Sequence, residues 1–148
     1  MRVALDTNVL VYAEGLNDEP RRDRALELIA SLPAHGVAIP VQVLGEVHRI
    51  LVRKGGRTPA QAALAALRWA NAFETLPSTE IAMRDALAIA ETHSLQIWDA
   101  LVLAAAHAGA CEILLSEDLQ DGFAWRDVAV LNPFGDDGLA RLAGRLKG

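Results

Sequence analysis

The feature that most constrains this chain is an alternation: short apolar runs with β character are separated by segments of helical periodicity. Arg2 to Leu5 reads as a first strand, with continuation beyond Asn8 as one reading of the run "VALDTNVLVY". A helix follows over Pro20 to Leu32, then a short strand over Val37 to Ile39 that ends at Pro40. The next helix runs from about Val41 to Lys54 and stops at Gly55-Gly56. Thr58-Pro59-Ala60-Gln61 has the form of a helix start, with an N-cap Thr, Pro at the first helical position and Gln where a capping box needs it. That helix should reach about Phe73, and Ser78 or Thr79 should cap another running to about Ser94. Ile97 to Ala108, closed by Gly109, is a further helix, and Glu112 to Ser116 and Val128 to Leu131 are two more strands. Strands separated by helices pair in parallel, with the helices covering the sheet on both faces. The predicted fold class is therefore α/β, a parallel sheet flanked by helices.

Length and composition agree with one domain: 148 residues, 52% of them hydrophobic, suffice for a single core. The most membrane-like stretch, Leu95 to Ile113, carries Gln96, Asp99, His107 and Gly109, so a buried helix accounts for it better than a lipid-exposed span. No basic segment followed by a long apolar run opens the chain, because Asp6 and Asn8 arrive at once; the expectation is a cytoplasmic protein. A single cysteine, Cys111, excludes an internal disulfide and reads as a small core residue.

Four acids stand out against this pattern. Ligands of open parallel sheets bind in the crevice beyond the carboxyl ends of the strands, and Asp6 falls where the first strand leaves the apolar layer. Asp99 is the only Asp, Glu, Lys or Arg in the 20 residues from Thr92 to Cys111. An ordinary explanation is its place in a first helical turn, where unsatisfied N–H groups favour an acid by about 0.3–1 kcal/mol. Glu46 lies at the edge of the apolar arc formed by Val43, Leu44, Val47, Ile50 and Leu51, and also stands three residues before Arg49, the spacing of a surface ion pair. Asp118 follows the strand "EILLS", beside Ser116, Glu117 and Asp121, where turn chemistry alone would also favour Asp.

Each signal is weak alone; together they point to one chemistry. If Asp6, Glu46, Asp99 and Asp118 converge, repulsion raises their pKa values unless cations are present. Hard oxygen ligands suit Mg²⁺ or Mn²⁺ rather than zinc. Carboxylates holding a divalent ion beside a phosphate have the logic of metal-assisted phosphodiester hydrolysis.

"LDTNVLVY", "VLGEVHRIL", "IWDALVLAAAHAGACEILLSEDLQDG" and "VAVLNPF", in that order, resemble a PIN domain, most closely the VapC-type toxin ribonucleases of toxin–antitoxin pairs. The resemblance covers residues 1–134 and implies a PIN-like nuclease domain of three layers there; the tail, 135–148, matches no motif, and a helix is one reading of it. Carried over, it implies Asp6, Glu46, Asp99 and Asp118 as the acidic site, with Asp6 and Asp99 as principal magnesium ligands. Asn8 and Ser116 would be polar supports and Asp121 an additional acid. It also implies Mg²⁺, with Mn²⁺ as a substitute, a single-stranded or structured RNA substrate cut by a metal-activated water, a VapB-like antitoxin partner and a homodimer. Apolar residues between 41 and 73, Leu44, Ile50, Leu51, Leu64, Leu67 and Trp69, offer surface for such contacts or belong to the core.

The net charge of −5 runs against the basic footprint usual in nucleic-acid binders. The catalytic cluster itself supplies much of that acidity, and basic residues are clumped: Arg49, Arg53, Lys54 and Arg57 follow Glu46, and Arg21, Arg22 and Arg24 open an earlier helix. Arg49, Arg53 and Lys54 are candidate RNA contacts, against the plainer reading of solvated helix faces. His35, His48, His93 and His107 read as packed or solvated, and no general base is assigned. Among rival functions, a haloacid-dehalogenase-type phosphatase would want Asp where Asn8 stands, and a receiver domain would want a Lys after a late strand, whereas the only lysines are Lys54 and Lys147. A free-standing PIN nuclease and a non-catalytic PIN-fold RNA-binding module remain as alternatives.

Overall fold

The computed structural model describes residues 1–33 and 35–148. The chain forms β1 (Val3–Leu5), α1 (Thr7–Ala13), α2 (Glu19–Ser31), β2 (Val37–Pro40), α3 (Val41–Arg53), α4 (Pro59–Ala72), β3 (Glu74–Leu76), α5 (Glu80–His93), α6 (Ile97–Ala108), β4 (Ile113–Leu115), β5 (Ala124–Trp125), β6 (Val128–Leu131) and α7 (Gly138–Lys147). The strands make one sheet in the order β3-β2-β1-β4-β6-β5. All pairings are parallel except β5 with β6.

The strand order explains where a ligand can sit. From β1 the chain builds outward through β2 to β3, then returns to the other side of β1 to form β4. Right-handed crossovers consequently put α1 to α4 on one face and α5 and α6 on the other. The connections leaving β1 and β4 diverge in opposite directions, which opens a crevice beyond the carboxyl ends of these neighbouring strands. β1, β2 and β4 are buried throughout, as strands covered on both faces must be. Helix α6 contributes seven buried residues from Ala100 to Ala106, which accounts for the long apolar run in the sequence. Among the described residues no helix is long and apolar enough to cross a membrane.

Most helix boundaries follow from local chemistry. Thr58 and Gln61 form a complete capping box, and Thr79 caps α5 by accepting from Ala82 N. Gly56 turns the chain after α3 at φ +65°, a conformation that costs glycine nothing. Gly109 ends α6 for a different reason: its φ is −83°, and a Cβ there would lie 2.6 Å from Leu76 Cδ2. Ala110, at φ 59°, makes the left-handed reversal instead. Cys111 is buried, and burial pushes its thiol up to about 11.

Two readings need correction. The first strand does not continue beyond Asn8: it ends at Leu5, and Asp6 caps a helix through its side chain, which accepts from Thr7 N. Val9 to Tyr12 are buried either way, so an apolar run there satisfies a helix as well as a strand. The short strands β3 and β5 were not anticipated, and β5 is antiparallel. The tail forms α7, whose Leu142 is buried and whose Leu139 and Leu146 pack against the core.

Candidate active site

The crevice beyond β1 and β4 holds a cavity of about 490 Å³. Asp6, Asn8, Glu46, Asp99 and Asp118 all line it, with Thr7, Gln42, Arg49, Ile50, Gln96, Trp98 and Val102. The four acids singled out from sequence therefore face one space, although they come from four separate places in the chain.

Asp6 is the most firmly held. It is 5% exposed, at the junction of β1 and α1. Its Oδ1 accepts from Thr7 N at 2.7 Å, and its Oδ2 accepts from Ser116 Oγ at 2.7 Å. Ser116, fully buried at the end of β4, also accepts from Leu119 N at 3.2 Å, so one hydroxyl ties the Asp6 carboxylate to the loop that carries Asp118. Burial raises the Asp6 pKa, against the lowering effect of its bonds from Ser116 and Thr7; Asp118 adds repulsion.

Asp99 stands in the first turn of α6, where the Gln96 side chain has already taken the N–H groups of Trp98 and Asp99. Its pKa is pushed up to about 6, first by burial and then by the charges of Asp6, Asp118 and Glu46. Glu46, in the second turn of α3, combines both sequence readings: it faces the cavity and pairs with Arg49 at 3.1 Å. Asp118 is exposed, with Oδ1 accepting from Asn8 Nδ2 at 2.9 Å.

The other readings divide. Asn8 and Ser116 contact the acids as polar supports would. Asp121 is not brought into the cavity: it accepts from Asn132 N at 3.0 Å and pairs with Arg141 at 2.8 Å, fastening α7 to the sheet. Those two partners hold its carboxyl below the usual range. Arg49 reaches the cavity, whereas Arg53 and Lys54 do not; Lys54 lines an adjoining depression that shares Asn8 and Ile50 with it. None of the four histidines lines the acidic cavity. Sequence reasoning missed Gln42, Gln96 and Trp98, though Gln96 and Trp98 lie within three residues of Asp99.

Among the described residues no three His, Cys, Asp or Glu side chains are grouped so as to hold a metal ion by themselves. The donor set nevertheless fits a hard cation that keeps part of its water shell, since Mg²⁺ is commonly bound through one or two carboxylates. Two of the carboxylates are raised by burial and by the charges around them, and Arg49, the one basic residue among the described residues lining the cavity, is paired with Glu46. A divalent cation would relieve that repulsion.

The comparisons agree with this architecture. No curated protein matches the chain significantly. Among solved structures, a toxin-antitoxin complex from Klebsiella pneumoniae superposes with a TM-score of 0.66 at 17% identity, covering 86% of this chain and 95% of that one. VapC20 of Mycobacterium tuberculosis, a Sarcin-Ricin loop cleaving toxin, gives 0.66 at 24% identity over 78% of this chain and 91% of its own. FitAcB from Neisseria gonorrhoeae gives 0.67 at 21% identity over 89% and 98%. At such identities these likenesses show the fold. The sequence profile of the PIN domain, however, matches residues 3–128, spanning every strand from β1 into β6, and the chain belongs to the PIN domain family.

Proposed function

We propose that this chain is a divalent-metal-dependent endoribonuclease that hydrolyses RNA phosphodiester bonds, acting in the cytoplasm as the toxin of a VapBC-type toxin–antitoxin pair. The observation that carries the reading is the convergence of Asp6, Glu46, Asp99 and Asp118 on one cavity where, among the described residues lining it, no free basic residue balances them. Similarity to VapC20 and to toxin-antitoxin complexes supports the cellular role.

Asp6 and Asp99 are the principal cation ligands in this reading, with Asp118 and Glu46 completing the negative face. Mg²⁺, or Mn²⁺ in its place, would polarise the phosphoryl oxygens and lower the pKa of bound water. Ser116 and Thr7 N fix the Asp6 carboxylate in orientation, and Asn8 does the same for Asp118. Arg49 is placed to meet a phosphate when Glu46 turns to the cation, and Lys54 extends positive charge along the adjoining depression. A VapB-like antitoxin and a homodimer are the expected partners. Leu64 and Leu67 on α4, and Ile81 and Leu87 on α5, supply exposed apolar surface for such contacts, whereas Leu51 belongs to the core.

Incubation of total RNA with the purified chain, in Mg²⁺ and in chelator, tests the reading. Defined fragments should appear only with metal and should vanish with Asp6→Asn. Fragments that persist in chelator, or intact RNA under every condition from folded protein freed of inhibitor, would overturn it.

A further inference from the structure

Trp98 differs from the other tryptophans of this chain. Trp69 stacks on Phe73 and its indole N–H donates to Glu14 Oε2 at 3.1 Å. Trp125 meets His107 edge-on and carries Arg126 over its face at 4.2 Å. Both rings are consumed by the fold. Trp98, in contrast, is 49% exposed at the rim of the acidic cavity, beside Asp99. Among the described residues its ring has no aromatic or cationic partner.

The backbone of Trp98 is fixed from both ends. Its N–H donates to Gln96 Oε1 at 2.9 Å, and its carbonyl accepts from Gln42 Nε2 at 3.2 Å. The second contact leaves Gln42 Oε1 buried with no hydrogen-bond partner, at the wall of the same cavity. A buried acceptor without a donor is costly, and a ligand that brings an N–H removes the cost. An aromatic face and an unused acceptor thus stand next to the acids that would receive a phosphate. The combination has the chemistry of a nucleobase: a flat π-face to stack and, on every base, an amino or imino N–H at its edge.

We infer that Trp98 is a stacking platform for an unpaired nucleobase of the RNA next to the cleaved phosphate, with Gln42 Oε1 accepting a hydrogen bond from the edge of that base. The inference rests on the ribonuclease reading above. It makes the bound substrate single-stranded at that position, because a base inside a duplex cannot present its face to Trp98. Gln96, which holds the Trp98 N–H, is a positioning residue for the ring, whereas Gln42 both holds the Trp98 carbonyl and meets the base.

The test measures binding without turnover. In an Asp99→Asn background, fluorescein-labelled single-stranded RNA decamers of mixed sequence are titrated by anisotropy, beside the same strand annealed to its complement and a ribose-phosphate strand lacking bases. Trp98→Ala should weaken binding of the single strand about tenfold or more, and Trp98→Phe should restore most of it. The base-free strand should be indifferent to both changes. Single-strand affinity unaltered by Trp98→Ala, or lost equally for the base-free strand, would overturn the inference; thermal melting of each variant keeps misfolding from imitating the first result. Wild-type protein that cuts total RNA with Mg²⁺ while Trp98→Ala binds and cuts as well leaves the nuclease reading standing and removes this one. Trp98-dependent binding of the single strand by a wild type that never cuts would remove the nuclease reading and leave Trp98 as a base-stacking platform beside the acids.

Discussion

Two groups of acids in this molecule meet opposite fates: Glu14 is neutralised by its partners, and the cavity acids Asp6 and Asp99 are not. Glu14, at the end of α1, receives Arg57 on Oε1 at 2.6 Å, Trp69 on Oε2 at 3.1 Å and a second Arg57 contact on its carbonyl at 2.7 Å. Every acceptor has a donor, and the network locks α1 to the α3–α4 connection and to α4. At the other group, Asp6 and Asp99 share a cavity with Asp118 and Glu46, and burial together with repulsion raises both. A fold that can satisfy Glu14 fully has the means to satisfy Asp99. Leaving it unsatisfied costs stability, and a cation bound as proposed above would offset that cost.

The largest effects should separate the two groups by activity. Asp6→Asn or Asp99→Asn should lower RNA cleavage by more than a hundredfold, since even residues that merely support metal ligands are worth about 10–100-fold. Neither change should lower the melting temperature by much, because each removes repulsion. Equal loss of activity and of folded protein would place these acids with Glu14 instead. Ser116→Ala should cost about 10–100-fold in cleavage, by releasing Asp6 Oδ2 and the loop that carries Asp118. Restoration of Ser116→Ala activity by higher Mg²⁺ would locate the defect in ligand orientation.

Arg57→Ala reverses the pattern. It strands Glu14 and should destabilise the fold by about 2 kcal/mol, below the full value for a buried pair because both partners keep some exposure. Cleavage per folded molecule should stay within about twofold, measured from initial rates corrected by a denaturation curve. A large loss of rate without loss of stability would contradict the division drawn here.

How much of this was legible in the sequence depended on the range of the interaction that decides each feature. Ile97–Ala108 was readable because a long apolar run meets a closing glycine, and Val128–Leu131 because it is a short, strongly apolar run. The four acids were readable as a set rather than singly: Asp99 alone stands out from the 20 residues around it, and the others carry weight only in combination. Asp121, three residues after Asp118, was read as an additional acid, yet its carboxylate is taken by Arg141, twenty residues on in a helix with no recognised motif. The strand β3 has only three residues and one buried side chain, so its pairing with β2 supplies what its sequence does not announce. Gln42 offers no local signal, since its partner Trp98 is 56 residues away. The end of β1 was misread because burial in α1 and burial in a longer strand demand the same apolar residues.

The smallest effect is on stability against pH. Asp99, near 6, lies above its ordinary value of about 3.9, and Asp6 is displaced in the same direction. Between roughly pH 4 and 6 the native protein binds more protons than the unfolded chain, so stability falls as pH rises through that window and the penalty is complete above it. After discounting for the solvent that reaches Asp99, the loss is on the order of 1 kcal/mol. Metal-free protein should melt at a higher temperature near pH 5 than near pH 7.5, and Asp99→Asn should flatten the difference.

The most direct test of the unneutralised site is a Mn²⁺ titration of thermal melting at pH 7.5. The account predicts a melting temperature that climbs with Mn²⁺ for the wild type, as binding to the folded state requires, and a much smaller climb for Asp99→Asn. A wild type indifferent to Mn²⁺, or a variant that responds as strongly, would show that the four acids are not a cation site.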